Sequence, residues 1–114
     1  MEFNQYNTTV QQWIHTVLEN RETNADVVLE CCRDIIAYGR KTDDPKLMGF
    51  GFFYGGEIYY ELNDGAHFFH MMTEALTYLD RAEEWELVVR CYNFLGIASM
   101  SRGNPVSYTH LRAH

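Results

Sequence analysis

The sequence predicts an all-α fold: a solenoid of antiparallel helix pairs, about five helices, truncated, with no strand. Two observations predict it. Apolar residues recur at helical spacing along most of the chain, while Val, Ile and Thr never alternate over more than a few residues. One helix-pair pattern also runs complete from Leu47 to Leu79 and starts again at Glu84, so that Gly96 follows Gly56 by 40 positions. Self-similarity at a period of roughly 20–50 residues marks an array in which each helix pair buries its apolar face only against its neighbours. The second helix of the last pair is expected after Gly103-Asn104, so the chain reads as two and a half pairs of a right-handed solenoid, a fragment of a longer array.

The elements follow in order. Val10, Trp13, Ile14, Val17 and Leu18 form one helical stripe, capped by Asn7 or Thr8 and ended by Glu19-Asn20-Arg21-Glu22. A second helix starts after Thr23-Asn24, with Asp26 in its first turn and the stripe Val28, Leu29, Cys32, Ile35 and Ile36; Gly39-Arg40-Lys41 is expected to terminate it. Asp44-Pro45 opens a third helix, because aspartate caps and proline at the first position gives up an amide that has no partner there. That helix runs to about Leu62, and Asn63-Asp64 turns the chain into a fourth ending near Asp80. A fifth runs from about Glu83 to Arg102, with Glu83, Glu84 and Glu86 at its dipole-favoured start. Gly49, Gly51, Gly55 and Gly56 each weaken the third helix by up to ~1 kcal/mol. They are therefore expected to be notches where neighbours approach closely.

Composition narrows the function. Hydrophobic content of 46% with 15% aromatics is enough apolar surface to fold a chain of 114 residues as one domain. A net charge of −7 with scattered Lys and Arg disfavours nucleic acid and anionic membranes. No apolar run approaches ~18 residues and the start lacks a signal-peptide pattern, so the expected location is cytoplasmic. Three cysteines, two of them adjacent, make no disulfide framework.

The run Phe52-Phe-Tyr-Gly-Gly-Glu-Ile-Tyr-Tyr-Glu-Leu-Asn-Asp64 resembles the first helix and turn of a tetratricopeptide repeat, with Phe52, Gly56 and Tyr59 at its bulky, small and aromatic positions. Ala75 matches the second helix, whereas Phe68 and Asp80 depart from it; Tyr92, Leu95, Gly96 and Ser99 make the next, imperfect copy. Gly51-Phe-Phe-Tyr-Gly-Gly-Glu-Ile-Tyr-Tyr, Ala75-Leu-Thr-Tyr-Leu and Trp85 to Asn104 further resemble the helical N-terminal regions of clostridial signalling proteins that carry a GGDEF-type diguanylate cyclase domain downstream. The resemblance implies a regulatory input module over residues 1–104. No cyclase motif is present, so that activity is not carried over. Residues 105–114 read as a non-native tail, since Val106 to His114 resembles a translated adaptor or vector sequence.

No catalytic site is expected, because a nucleophile elbow, a phosphate-binding glycine loop and zinc spacing are all missing from the sequence. His67, His70 and Asp64 share a helix face, but a metal needs three or four convergent ligands and no other helix offers a matching cluster; no metal or cofactor is expected. Cys32 and Cys91 read as small core residues. In tetratricopeptide repeats the first helix of each pair lines a concave groove for peptides. The matching positions here are Phe50, Phe53, Glu57 and Tyr60, then Arg90, Asn93, Ile97 and Met100. The expected function is thus peptide or protein binding, or self-association, that controls an output domain. A second reading is small-molecule sensing in a pocket lined by Phe50, Phe53, Tyr54 and Tyr60. The fifth helix, apolar over more than half its circumference through Trp85, Val88, Val89, Tyr92, Phe94, Leu95, Ile97 and Met100, is expected to pair two chains as a homodimer.

Overall fold

The computed structural model describes residues 1–101, with side chains to residue 98. Over this range the order is α1 (Thr8–Asn20), α2 (Ala25–Thr42), α3 (Pro45–Glu61), α4 (Gly65–Arg81) and α5 (Trp85–Ser101). The predicted all-α fold is what forms: an elongated helical-repeat-like stack, 47 × 29 × 20 Å, in which each helix packs on its neighbours in sequence. The expectations for Met100, a sixth helix and residues 105–114 lie outside the described side chains and residues.

Helix starts at residues 25, 45, 65 and 85 are twenty apart, which resolves the 40-residue pattern into one helix per half-period. The same turn sets each of the last three. Asp43, Asn63 and Glu83 take left-handed conformations at φ 53°, 59° and 58°. The next amide then reaches back over the helix end: Asp44 to the Gly39 carbonyl at 2.8 Å, Asp64 to Tyr59 at 3.0 Å and Glu84 to Leu79 at 3.0 Å. This six-residue closure satisfies carbonyls left over at a helix C-terminus. Short polar side chains do the complementary work at the starts. Asn7, Asn24, Asp44 and Asp64 accept the amides of Val10, Val27, Leu47 and His67 at 2.9, 3.3, 3.2 and 3.2 Å.

Two sequence expectations need correction here. Gly39 does not end α2, which continues to Thr42; Asp43 supplies the left-handed residue instead. Gly39 faces α3, and a Cβ on it would stand 2.9 Å from Met48 Cγ and 3.1 Å from the Met48 amide nitrogen. Leu18 leaves the α1 stripe and is 43% exposed, while Val10, Ile14 and Val17 are buried as expected.

Helix α3 is the centre of the molecule. Every residue from Leu47 to Ile58 is buried, as befits a helix hydrophobic on all sides. The glycine notches explain how neighbours come so close. A Cβ at Gly49 would lie 2.6 Å from Leu79 of α4, and one at Gly51 would lie 2.6 Å from Ile36 and 3.0 Å from the Cys32 carbonyl of α2. Helices α2 and α4 therefore flank α3 on one side. Its other side, the inner face, is reached by single side chains, Arg21 from just after α1 and Arg90 and Phe94 from α5.

Candidate functional site

That inner face runs along α3 through Lys46, Phe50, Phe53, Tyr54, Glu57 and Glu61, three or four residues apart, so the helix places them on one side. At its middle is Glu57, the one charged residue between Leu47 and Tyr60 and 8% exposed. A carboxylate so deep must be paired. Arg21, from the turn after α1, grips it with two hydrogen bonds, Nε to Oε1 at 2.9 Å and Nη2 to Oε2 at 2.7 Å. Arg90 of α5 adds Nη2 to Oε2 at 3.3 Å. Each guanidinium also lies against a ring of α3, Arg21 at 5.1 Å from the Tyr54 centroid and Arg90 at 4.8 Å from Phe53. Burial works against the Arg21 charge, yet the hydrogen bond and charge of Glu57 leave its pKa above the ordinary arginine value. The cluster ties α1, α3 and α5 into one surface.

On either side of it the groove differs. Toward the C-terminal end of α3 is an open cleft of about 500 Å³, lined by Arg21, Glu22, Asn24, Glu57, Glu61 and Leu62 among others. Toward the N-terminal end the groove is filled by the chain itself. Residues 1–6 cross it in non-helical conformation, with Phe3 edge-on to Phe50 at 5.2 Å and the Tyr6 hydroxyl donating to Asp44 Oδ2 at 2.8 Å. A gap of about 200 Å³ remains beneath them, bounded by Leu18, Phe50, Tyr54, Leu87 and Arg90.

The positions read from the sequence fare unequally. Phe50 and Phe53 stand on the inner face but are 1% and 0% exposed, covered by Phe3 and by Arg90 with Phe94, so neither offers surface to a ligand while those covers remain. Glu57 and Arg90 meet in the cluster. Tyr60 is half-buried between Phe68 and Phe94, at 5.4 Å from each ring. Asn93 and Ile97 are exposed on α5, and the Met100 side chain lies outside those described. Of the rings expected to line a small-molecule pocket, Phe50 and Phe53 pack on Tyr54 at 4.6 and 4.9 Å, and Phe50 and Tyr54 border the gap of about 200 Å³ beneath residues 1–6. Tyr60 instead borders a separate shallow cleft of about 240 Å³ with Tyr59, Asn63, Asp64 and Phe68.

Sequence reasoning missed Arg21, Phe3 and Tyr6. A lone glutamate inside an otherwise apolar helix was a signal for a cationic partner. Nothing local pointed to the first six residues. Among the described residues no three His, Cys, Asp or Glu converge on a metal-sized point, and His67 is engaged by Asp64 at 2.8 Å. No described helix is long and apolar enough to cross a membrane. No protein-family model, curated protein or solved structure matches the chain.

Proposed function

We propose that the chain is a non-catalytic interaction module, whose inner groove across α1, α3 and α5 receives an extended segment of a protein partner. The observation that carries this reading is the seating of non-helical chain on the inner face: residues 1–6 lie against the N-terminal part of α3, while a cleft of about 500 Å³ stays open beyond Glu57 between the α1–α2 turn and the end of α3. The open cleft offers a peptide the Arg21 guanidinium held by Glu57, the polar rim of Glu22, Asn24 and Glu61, and an apolar floor at Ile58 and Leu62. The resemblance to input regions of diguanylate cyclases supports a regulatory role in a cytoplasmic signalling protein, with partner binding passed to an output domain. Self-association is the second part of the proposal. Trp85, Val89 and Tyr92 form an exposed stripe on α5, 53%, 57% and 59% open, that a second chain would cover. Light scattering at micromolar concentration decides that point, since a mass near 13.4 kDa refutes pairing.

Selection of displayed random peptides against the purified chain tests the main reading. Enriched peptides are expected to lose at least ~10-fold in affinity on Glu61→Arg or Thr23→Trp, which alter the open cleft without touching the core. Failure to enrich, or binding indifferent to both substitutions, refutes it. A thermal-shift screen separates peptides from small molecules, because a ligand at one hundred times its Kd stabilises by ~2.7 kcal/mol.

A further inference from the structure

Residues 1–6 are seated as a ligand would be. Phe3 and Tyr6 are half-buried, whereas Glu2, Asn4 and Gln5 are exposed and Met1, 40% exposed, borders the gap. The Tyr6 amide donates to the Phe3 carbonyl at 3.2 Å, so one tight turn sets both rings on the same side, 6.1 Å apart. Each ring has its own receptor group at the start of α3, Lys46 in its first turn and Asp44 at its cap. The Lys46 ammonium lies 5.0 Å from the Phe3 centroid and also donates to the Glu2 carbonyl. Asp44 takes the Tyr6 hydroxyl on Oδ2. Helix α3 does not depend on these contacts for its start, because Asp44 caps Leu47 with its other oxygen and Pro45 holds the first position. Leu18, which lies off the buried α1 stripe and is 43% exposed, is a wall of the same slot.

We propose that this slot is an anchor site for a partner segment of the form aromatic–x–x–tyrosine, and that residues 1–6 occupy it as the chain's own competitor. The proposal rests on the peptide-binding reading and names its partner chemistry. The incoming segment needs a ring to lie against Phe50 and Lys46, a main-chain carbonyl just before that ring for Lys46, and a hydroxyl donor three residues on for Asp44. A charged or aliphatic residue in place of the tyrosine leaves Asp44 without that donor. Tethering gives the resident segment an effective concentration on the order of mM, so the intact chain admits only partners that outcompete it.

The test uses a fluorescent peptide, Met-Glu-Phe-Asn-Gln-Tyr-Asn, and the chain with residues 1–6 removed, its helicity checked by circular dichroism. Anisotropy is expected to show saturable binding at least ~10-fold tighter than to the intact chain. Binding should be lost when the peptide phenylalanine becomes alanine, and weakened about tenfold when its tyrosine becomes phenylalanine. If the shortened chain does not fold, the full chain with both Phe3→Ala and Tyr6→Ala empties both ring positions and should show the same gain. A folded protein that ignores the peptide in both forms overturns the proposal. If displayed peptides still bind at the Glu61 cleft in that case, the general reading stands and only the slot assignment fails. A dimer that disappears on removing residues 1–6 means that two copies exchange these segments, which overturns the partner-segment form.

Discussion

Glu57→Gln is the substitution that most directly tests how the inner face is held together. The glutamine keeps the shape but removes the charge and turns an amide donor toward two guanidinium groups that have nothing to accept it. Breaking a buried ion pair by changing one partner costs about 3–5 kcal/mol. The Glu57 side chain is 10% exposed, but those of Arg21 and Arg90 are 28% and 34% exposed, so both arginines regain part of their hydration. We therefore expect a loss of ~2–3 kcal/mol, which for a domain of this size lowers Tm by roughly 10–20 °C. Urea unfolding followed by circular dichroism should show a lower midpoint with an unchanged slope. The double variant with Arg21→Ala should lose at least ~1 kcal/mol less than the sum of the singles, since the two residues share one interaction. A loss below ~0.5 kcal/mol for Glu57→Gln refutes the reasoning, because the cluster would then be a surface ion pair in effect.

The remaining predictions concern packing, thiols and pH. Gly51→Ala should destabilise by ~1–2 kcal/mol, since its Cβ meets Ile36 and the fixed Cys32 carbonyl, whereas Gly96→Ala, with nothing within 4 Å, should stabilise by ~0.5–1 kcal/mol; equal effects in urea melts contradict the notch assignment. Burial pushes the Cys32 thiol up and raises Cys91 to about 11, so at pH 8 a disulfide reagent should titrate Cys31 first and reach the other two only on unfolding; three equal rates count against this. Burial, followed by the hydrogen bond to Asp44, raises the Tyr6 pKa above its ordinary value of 10.0. The unfolded tyrosine therefore loses its proton first. Stability from the hydroxyl is complete below pH about 10 and declines above it, and Tyr6→Phe should flatten that decline.

Much of the fold was legible because its determinants are local. Asn7, Asp44 and Asp64 announce helix starts by being short polar residues just ahead of apolar periods, and four glycines inside one helix announce close neighbours. Gly39 misled for a physical reason: a glycine near a helix end serves either a left-handed cap or a tight contact, and only the packing of α3 selects between them. The twenty-residue spacing was hidden because Asp43, Asn63 and Glu83 share a backbone conformation rather than a residue type. The site was less legible still. The repeat put Glu57 and Arg90 on one face, but nothing in the spacing announced that they pair or that Arg21, 36 residues from Glu57, joins them, because these contacts arise only through the stacking of helices. Phe50 and Phe53 were placed on the correct face, but what covers them comes from elsewhere in the chain.

The central position of α3 also dictates how the molecule comes apart. Each helix rests on its sequence neighbours, so among the described helices local opening is expected to begin at α1 or α5, each packed on one described neighbour, and to move inward. Amide hydrogens between Leu47 and Ile58 should then exchange only through global unfolding. The guanidinium ties to Glu57 act as the latches at both boundaries: fraying of α1 releases Arg21, fraying of α5 releases Arg90, and either leaves the carboxylate held from one side alone. The carboxylate then belongs wholly to the remaining guanidinium, so the loss of one end helix leaves the other still fastened to α3.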